Sequence, residues 1–594
     1  MHLLFEEKQM KSSKSFVFMS IVITIMGFSS SQAQDATLIF HNAKVWTVDE
    51  SQPLAQAVAI RGSRIIKVGG NVETLALRGA ATKVIDLKGK MLLPGFIDAH
   101  THFENAVGYF FEVRLMDVND QDEFLKRLRE TVQRVPKGIW ITGGDWGAFA
   151  AWDAEKKGNW SFVPLKPDLA AVDALTHDHP VLFRRYDHVY FANSKALQLA
   201  RIGKHTPNPR GGRYEKSPST GELTGILIGT AGERMEKLVP PVSHEQKLMG
   251  ARRVQEELNR FGITSIHDIA RVDEISQRKL FHTHVERSHS DLSIFLDLRK
   301  RGELTVRVYP ILTLRVWREL LEYGIQPGQG DEMIQYGGLK AFVDGTLMFE
   351  SYANSPNYAG NFTWRVVDEQ TMENDIVGAD SAGFDSAIHV IGDKAHYLLL
   401  NWYEAAIAKN KSRDRRFRLI HVQYPSLKDI QRAGRMRAIA DMTPYHMLRD
   451  VVATERLLGP ERAKTAHAWR TMIQNGVRIN IVSDWPGSFD KSSISPVNPL
   501  ENMFYAIARQ DTSGIPPGGW HASEAITIQE AIQAYTINPA FASHEEHLKG
   551  SITEGKLADL VVLSKDIISI QPRELLSTEV LYTIFDGRIV YQKQ

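Results

Sequence analysis

His100 and His102 close the segment MLLPGFIDAHTH, two residues apart behind an apolar lead-in. On an extended strand, side chains two apart project to the same side, so both imidazoles can reach one point. Three further runs end in the same way. His389 closes Ser386-Ala387-Ile388-His389, His421 closes Arg418-Leu419-Ile420-His421, and Asp484 closes Ile479-Asn480-Ile481-Val482-Ser483-Asp484. Lys340 sits within the apolar run from Gly337 to Val343. Neutral imidazole and carboxylate are good ligands for zinc and similar ions. The chain has no cysteine, which excludes thiolate metal sites, disulfides and a cysteine nucleophile. Any metal must be held by His, carboxylate or modified Lys.

Each of these residues has a duller explanation when taken alone. A single strand-end His is more often a hydrogen-bonded structural residue than a ligand. Asp484 could cap the helix that follows, and Lys340 could pair with Asp344. The His100–His102 pair shifts the balance, because a second His on one face is a costly way to fill a core. Taken as a set, the six residues favour a metal site.

Something must bring these scattered residues together. Between the chain ends, apolar runs of four to six residues alternate with helical patterns, as in Leu339 to Val343 and Gln246 to Phe261. That alternation predicts a parallel α/β sheet, and the length favours a (β/α)₈ TIM barrel, whose C-terminal strand ends converge on one site. Short β-type runs occupy both ends, among them Lys44 to Val48 and Ala558 to Leu563. They predict a small β-sandwich domain formed jointly by residues 34–93 and 548–594, flanking a barrel over 94–547. Residues from about 104 to 250 are rich in Trp, Pro and Gly and read as an insertion after the first barrel strand.

Composition narrows the partners. Across 594 residues, 71 Lys and Arg balance 70 Asp and Glu, which gives no electrostatic reason to expect nucleic acid or an anionic membrane. The start reads as an export signal over residues 1–33. Lys8, Lys11 and Lys14 precede an apolar stretch from Phe16 to Phe28, and Ser31-Gln32-Ala33 resembles a cleavage site. That stretch is short for a membrane span, which needs about 20 apolar residues. A periplasmic or secreted protein without a stable membrane span is expected, with an uncleaved anchor or a start at Met10 as alternatives.

The segments PGFIDAHTH, GLKAFVDGTL, IHVIGDKA, LIHVQ, IVSDWP, AYTINPA and GKLADLVVL resemble the amidohydrolase superfamily. Within it the chain is similar to the amidohydrolase 3, YtcJ-like branch, which includes N-substituted formamide deformylases. The likeness runs from Thr37 to the C-terminus. It implies that His100, His102 and Asp484 bind the more buried of two Zn²⁺ ions and that His389 and His421 bind the second. Lys340 matches the lysine that is carboxylated and bridges the ions in binuclear members. The implied reaction is hydrolysis of a non-peptide C–N bond in a small-molecule amide by a metal-activated hydroxide, with Asp484 as proton shuttle. Trp146, Arg184, His188, Tyr445 and His446 match pocket positions near GGDW, YDH and TPYH, and Trp485 is expected to narrow the pocket mouth. Asp98 shares a face with His100 and is a candidate to orient a ligand. His267, in GITSIHD, reads as structural. A mononuclear deaminase or ring-opening enzyme remains an alternative, as does a non-catalytic exported binding protein. A homodimer is compatible with either.

Overall fold

The structure, a computed structural model, describes residues 35–148, 150–151, 154, 163–185, 187–270, 291–345, 368–486 and 496–594. The expected signal segment lies outside the described residues. Among those residues, no helix is long and apolar enough to cross a membrane.

Eight parallel strands form the central sheet in sequence order: β1 (Phe96–Thr101), β2 (Ile263–Ile269), β3 (Arg307–Thr313), β4 (Gly338–Phe342), β5 (Asp385–Val390), β6 (Arg418–His421), β7 (Ile439–Met442) and β8 (Arg478–Ile481). Five of the eight, such as β5 and β6, are buried at every position, as strands covered on both faces must be. Helices supply the outer cover. His244–Arg260, for example, is capped by Ser243 and packs Leu248, Ala251 and Leu258 into the main core. A smaller cluster of Tyr309, Ile311, Ala387 and Ile420 fills the interior of the ring.

The ring closes at its rim. Beyond the end of β8, the Asp484 amide donates to the His100 carbonyl (3.0 Å) and the His102 amide to the Trp485 carbonyl (2.8 Å). The seam therefore runs through the residues that sequence had marked for chemistry.

Two sheets built from the chain ends pack beside the barrel. One has the order 64–69, 57–61, 36–41 and 78–86. The other joins both ends: Leu560–Leu563 pairs antiparallel with Met91–Pro94, which in turn pairs with Lys44–Trp46. Leu38, Phe40, Val58, Leu92, Leu560, Val562 and Ile584 share their core. Met91–Pro94 leads directly into β1, and Gly95 makes the join possible. A Cβ there would meet Thr264 Oγ1 at 2.3 Å. Buried Arg307 ties the sandwich to β3 through Asp559 (2.6 and 3.0 Å) and Asp586 (3.0 Å).

Between β1 and β2 the chain forms a mixed six-stranded sheet, from Glu112–Arg114 to Leu223–Gly229, with its own core around Phe124, Trp146, Phe183 and Phe191. Several of its strands are only three residues long, too short to display alternation, which is why this stretch looks irregular as sequence. Helix His244–Arg260 belongs to the barrel rather than to this insertion.

Candidate metal centre

β1 aims Asp98 and His100 into the barrel, and His102 follows at the head of helix Phe103–Tyr109. The Asp484 carboxylate faces both imidazoles through one oxygen: Oδ1 lies 3.2 Å from His100 Nε2 and 3.1 Å from His102 Nε2. Its other oxygen, Oδ2, lies 3.4 Å from His446 Nε2. The His421 ring stands among these groups, with centroids 5.4 Å from His100, 5.1 Å from His446 and 4.7 Å from His389. Five histidines and one aspartate from β1, β5, β6, β7 and β8 thus meet at the C-terminal rim.

His421 arrives by an irregular route. Arg418 and Ile420 face the barrel interior, so strict alternation would turn His421 outward. The backbone departs from alternation, with φ of +74° at His421 and +45° at Val422, and Asp484 has φ of +53°. Such left-handed conformations cost on the order of 1–3 kcal/mol each in non-glycine residues and concentrate at functional sites. Thr443, the first residue after β7, then fixes the ring by pairing its hydroxyl with His421 Nδ1 (3.1 Å), leaving Nε2 toward the cluster.

The surroundings favour the neutral form of His100, His389 and His421. Burial, reinforced by the Lys340 charge, holds His100 well below its ordinary value and brings His389 down to about 3. Burial and the neighbouring His389 do the same to His421. Burial alone would raise the Asp484 carboxyl, but His100 and His102 more than offset it and hold the group well below the usual carboxylate range. Neutral imidazoles beside a carboxylate are the protonation states that metal coordination needs. Lys340 lies buried in the middle of β4, over the Phe342 ring at 4.7 Å, and burial pushes its ammonium down to about 7. A substantial fraction is therefore neutral amine near neutral pH.

The fit to a metal ion is visible at His100. Its two ring nitrogens are fully buried and neither makes an aligned hydrogen bond, a costly state for a neutral protein core and a natural one for a ligand. Ligand atoms of His100, His102 and Asp484 lie within 4.8 Å of one another, as do those of His421, His446 and Asp484.

The supporting residues are specific. Asp98, expected as an orienting group, accepts the amides of His100 (3.2 Å) and Ser483 (3.1 Å), and burial pushes its carboxyl up to about 7. Asp268 accepts the Phe103 amide (2.7 Å) and the Thr101 hydroxyl (3.1 Å), holding the turn at His102. Asp344 does not serve simply as a counter-ion for Lys340. It takes the amides of Ile391 (3.0 Å) and Gly392 (2.7 Å), shaping the turn after His389. Sequence reading missed Thr443 and Asp268 as supports, although both stand at or near strand ends. His267 lies deeper, 3.0 Å from the Arg418 guanidinium, in keeping with a structural role.

The remaining pocket candidates divide. His446 joins the cluster. Tyr445 and Trp485 are half-buried at the rim, Tyr445 6.4 Å from Tyr505. Trp146 is fully buried, donates its indole N–H to the Leu165 carbonyl (2.7 Å) and lies under Arg185. In the preceding Gly143-Gly144 pair, added Cβ atoms would strike the Val113 carbonyl at 2.2 Å and the Arg184 carbonyl at 1.9 Å. GGDW is thus a packing motif of the insertion sheet. Arg184 and His188 are exposed beside Glu236 and Glu233, because they point away from the core that Phe183 enters.

Residues 83–591 match the amidohydrolase family. The chain belongs to that family. This amidohydrolase is 32% identical to Protein LONG AFTER FAR-RED 3 of Arabidopsis thaliana, over 94% of this chain and 92% of that one. It is 30% identical to putative amidohydrolase YtcJ of Bacillus subtilis (93% and 99% covered) and 28% identical to an N-substituted formamide deformylase of Arthrobacter pascens (95% and 99%). An uncharacterized metal-dependent hydrolase from Pyrococcus furiosus shares the fold, with TM-score 0.63 and 22% identity over 90% of this chain and 100% of that one. Metal-dependent hydrolysis is accordingly the general activity of this amidohydrolase.

Proposed function

We propose that this amidohydrolase cleaves the C–N bond of a small non-peptide amide, formamide or cyclic amide, adding water to release acid and amine. The observation that carries the reading is one buried carboxylate, Asp484, set between two groups of histidines. His100, His102 and Asp484 would hold one divalent ion. His421, His389 and a carboxylated Lys340 would hold a second, and zinc suits this nitrogen and oxygen set. Such ions acidify water and polarise a carbonyl when bound.

The chain's own residues do the rest. Asp484 accepts the proton of the attacking water and returns it to the leaving nitrogen. Asp98 and the β1–β8 seam keep Asp484 in place during that transfer. Tyr445 and Trp485 line the approach. Lys340, part-neutral through burial, can add carbon dioxide and so exchange a repelled cation for two anionic oxygens. The signal-like segment over 1–33 supports, in this proposal, a reaction outside the cytoplasm with a mature chain beginning at Gln34.

The test is amine release from a panel of formamides, N-acyl amines and lactams by the metal-loaded protein. Amine and acid in equal amounts support the reading. Ammonia from heterocycles alone would favour a deaminase, and full metal occupancy without turnover of any panel member would favour a binding protein.

A further inference from the structure

The family resemblance leaves His446 outside the metal set, as one residue of the TPYH segment. The geometry assigns it a larger part: we propose that His446 is a direct ligand of the second ion, shared with His421 and the Oδ2 atom of Asp484. This inference rests on the metal-dependent reading above and extends it. Asp484, with a different histidine group on each oxygen, then bridges the two ions through its own carboxylate.

Three observations converge on this. The Asp484 oxygens are divided, with Oδ1 toward His100 and His102 (3.2 and 3.1 Å) and Oδ2 toward His446 (3.4 Å). Ligand atoms of His421, His446 and Asp484 lie within 4.8 Å of one another, the span one ion can draw together. His421 is already oriented for this, since Thr443 takes its Nδ1 at 3.1 Å. His389 is held differently: its Nε2–H donates to the Gly345 carbonyl at 3.2 Å. Its ring centroid lies 4.7 Å from that of His421.

Local structure explains why His446 can reach in. Pro444 opens the helix Pro444–Leu458 directly after Thr443, and proline suits the first helical position because its missing N–H would be unpaired there anyway. That sharp start puts His446 in the first turn, above the end of β7, instead of one layer further out.

The experiment uses the full chain stripped of metal, titrated with Zn²⁺ against a competing chelator, with metal counted after gel filtration. Wild type, His446→Ala and His446→Gln are compared. Two ions are expected in wild type. Both His446 variants should keep one ion and bind the other at least about tenfold more weakly, since even a group that only orients a ligand typically contributes 10–100-fold. The Co²⁺-loaded variants should show changed visible absorption at that second ion. If His446→Ala fails to fold, His446→Gln, close to histidine in volume, decides the matter. Two ions held at wild-type affinity in the His446 variants, with only the substrate KM altered, would overturn the assignment. Two ions lost together in every variant while wild type holds two would also overturn it, because the two sites would then not be separable. Wild type that takes up no metal would bring down the parent reading, and this one with it.

Discussion

Two layers of the same barrel contain similar residues in opposite circumstances. In the lower layer, Arg418 donates to Asp441 twice (2.6 and 2.9 Å), to the Ala99 carbonyl (2.6 Å) and to His267 (3.0 Å), while Asn480 donates to Asp441 (2.7 Å). A cation meets an anion there, and the protein supplies both. At the rim, imidazoles crowd around one carboxylate and the neighbouring cation, Lys340, is itself driven toward neutrality by burial. The lower layer is complete as protein, whereas the upper layer has ligands in excess of counter-charges. Buried His and Asp are therefore poor indicators of function by themselves; what separates the layers is whether the protein provides the missing partner.

The sharpest way to test that contrast is to change one charged group in each layer. Asp484→Asn should lower turnover by about 10³-fold or more, within the range that a lost general acid–base group accounts for. Its thermal melting should stay near wild type, since the rim residues already carry unfavourable backbone and unpaired nitrogens. Arg418→Leu should do the reverse. Removing one partner of a buried ion pair leaves Asp441 uncompensated and costs about 3–5 kcal/mol of stability. Denaturant unfolding measures that loss, and the folded fraction should still bind metal. If Asp484→Asn destabilises as much as Arg418→Leu while turnover persists, the rim is structural and the comparison fails.

A milder perturbation sharpens the same contrast from outside the ligand set. Thr443→Val keeps shape but removes the hydroxyl that pairs with His421 Nδ1. Metal affinity at the second position should fall about 10-fold to 100-fold, the usual effect of losing a group that orients a ligand histidine. Titration against a chelator reads this directly, and unchanged affinity would mean that barrel packing alone orients His421.

Much of this was legible in the sequence, for reasons that differ by region. The strand-end positions of His100, His389, His421 and Asp484 could be read because each follows a mostly apolar run and stands at or just beyond its C-terminal end. The pairing of the chain ends was legible because both carry short apolar runs of one texture. The division of the Asp484 oxygens was not, because it depends on left-handed backbone at His421, Val422 and Asp484, which side-chain alternation does not encode. Nor was the sheet within the insertion, where strands are short and glycines such as Gly143 and Gly144 are required by close backbone contact. At GGDW the resemblance suggested a pocket residue, and Trp146 lies fully buried in the insertion core.

That last point supplies the smallest expected effect. Trp146 lies in the insertion core, its indole N–H on the Leu165 carbonyl and its ring beneath Arg185. Trp146→Phe keeps an aromatic face for Arg185 and removes one hydrogen bond, a loss of about 0.5–1.5 kcal/mol. For a domain with its own core, that is a modest drop in melting temperature. Neither kcat nor KM for a confirmed substrate should move, because the insertion sheet holds Trp146 through its own strands and not through the rim of the barrel. A rise in KM of tenfold or more at unchanged stability would place the tryptophan against substrate. The boundary between the packing layer and the reacting layer would then have to be drawn further into the insertion.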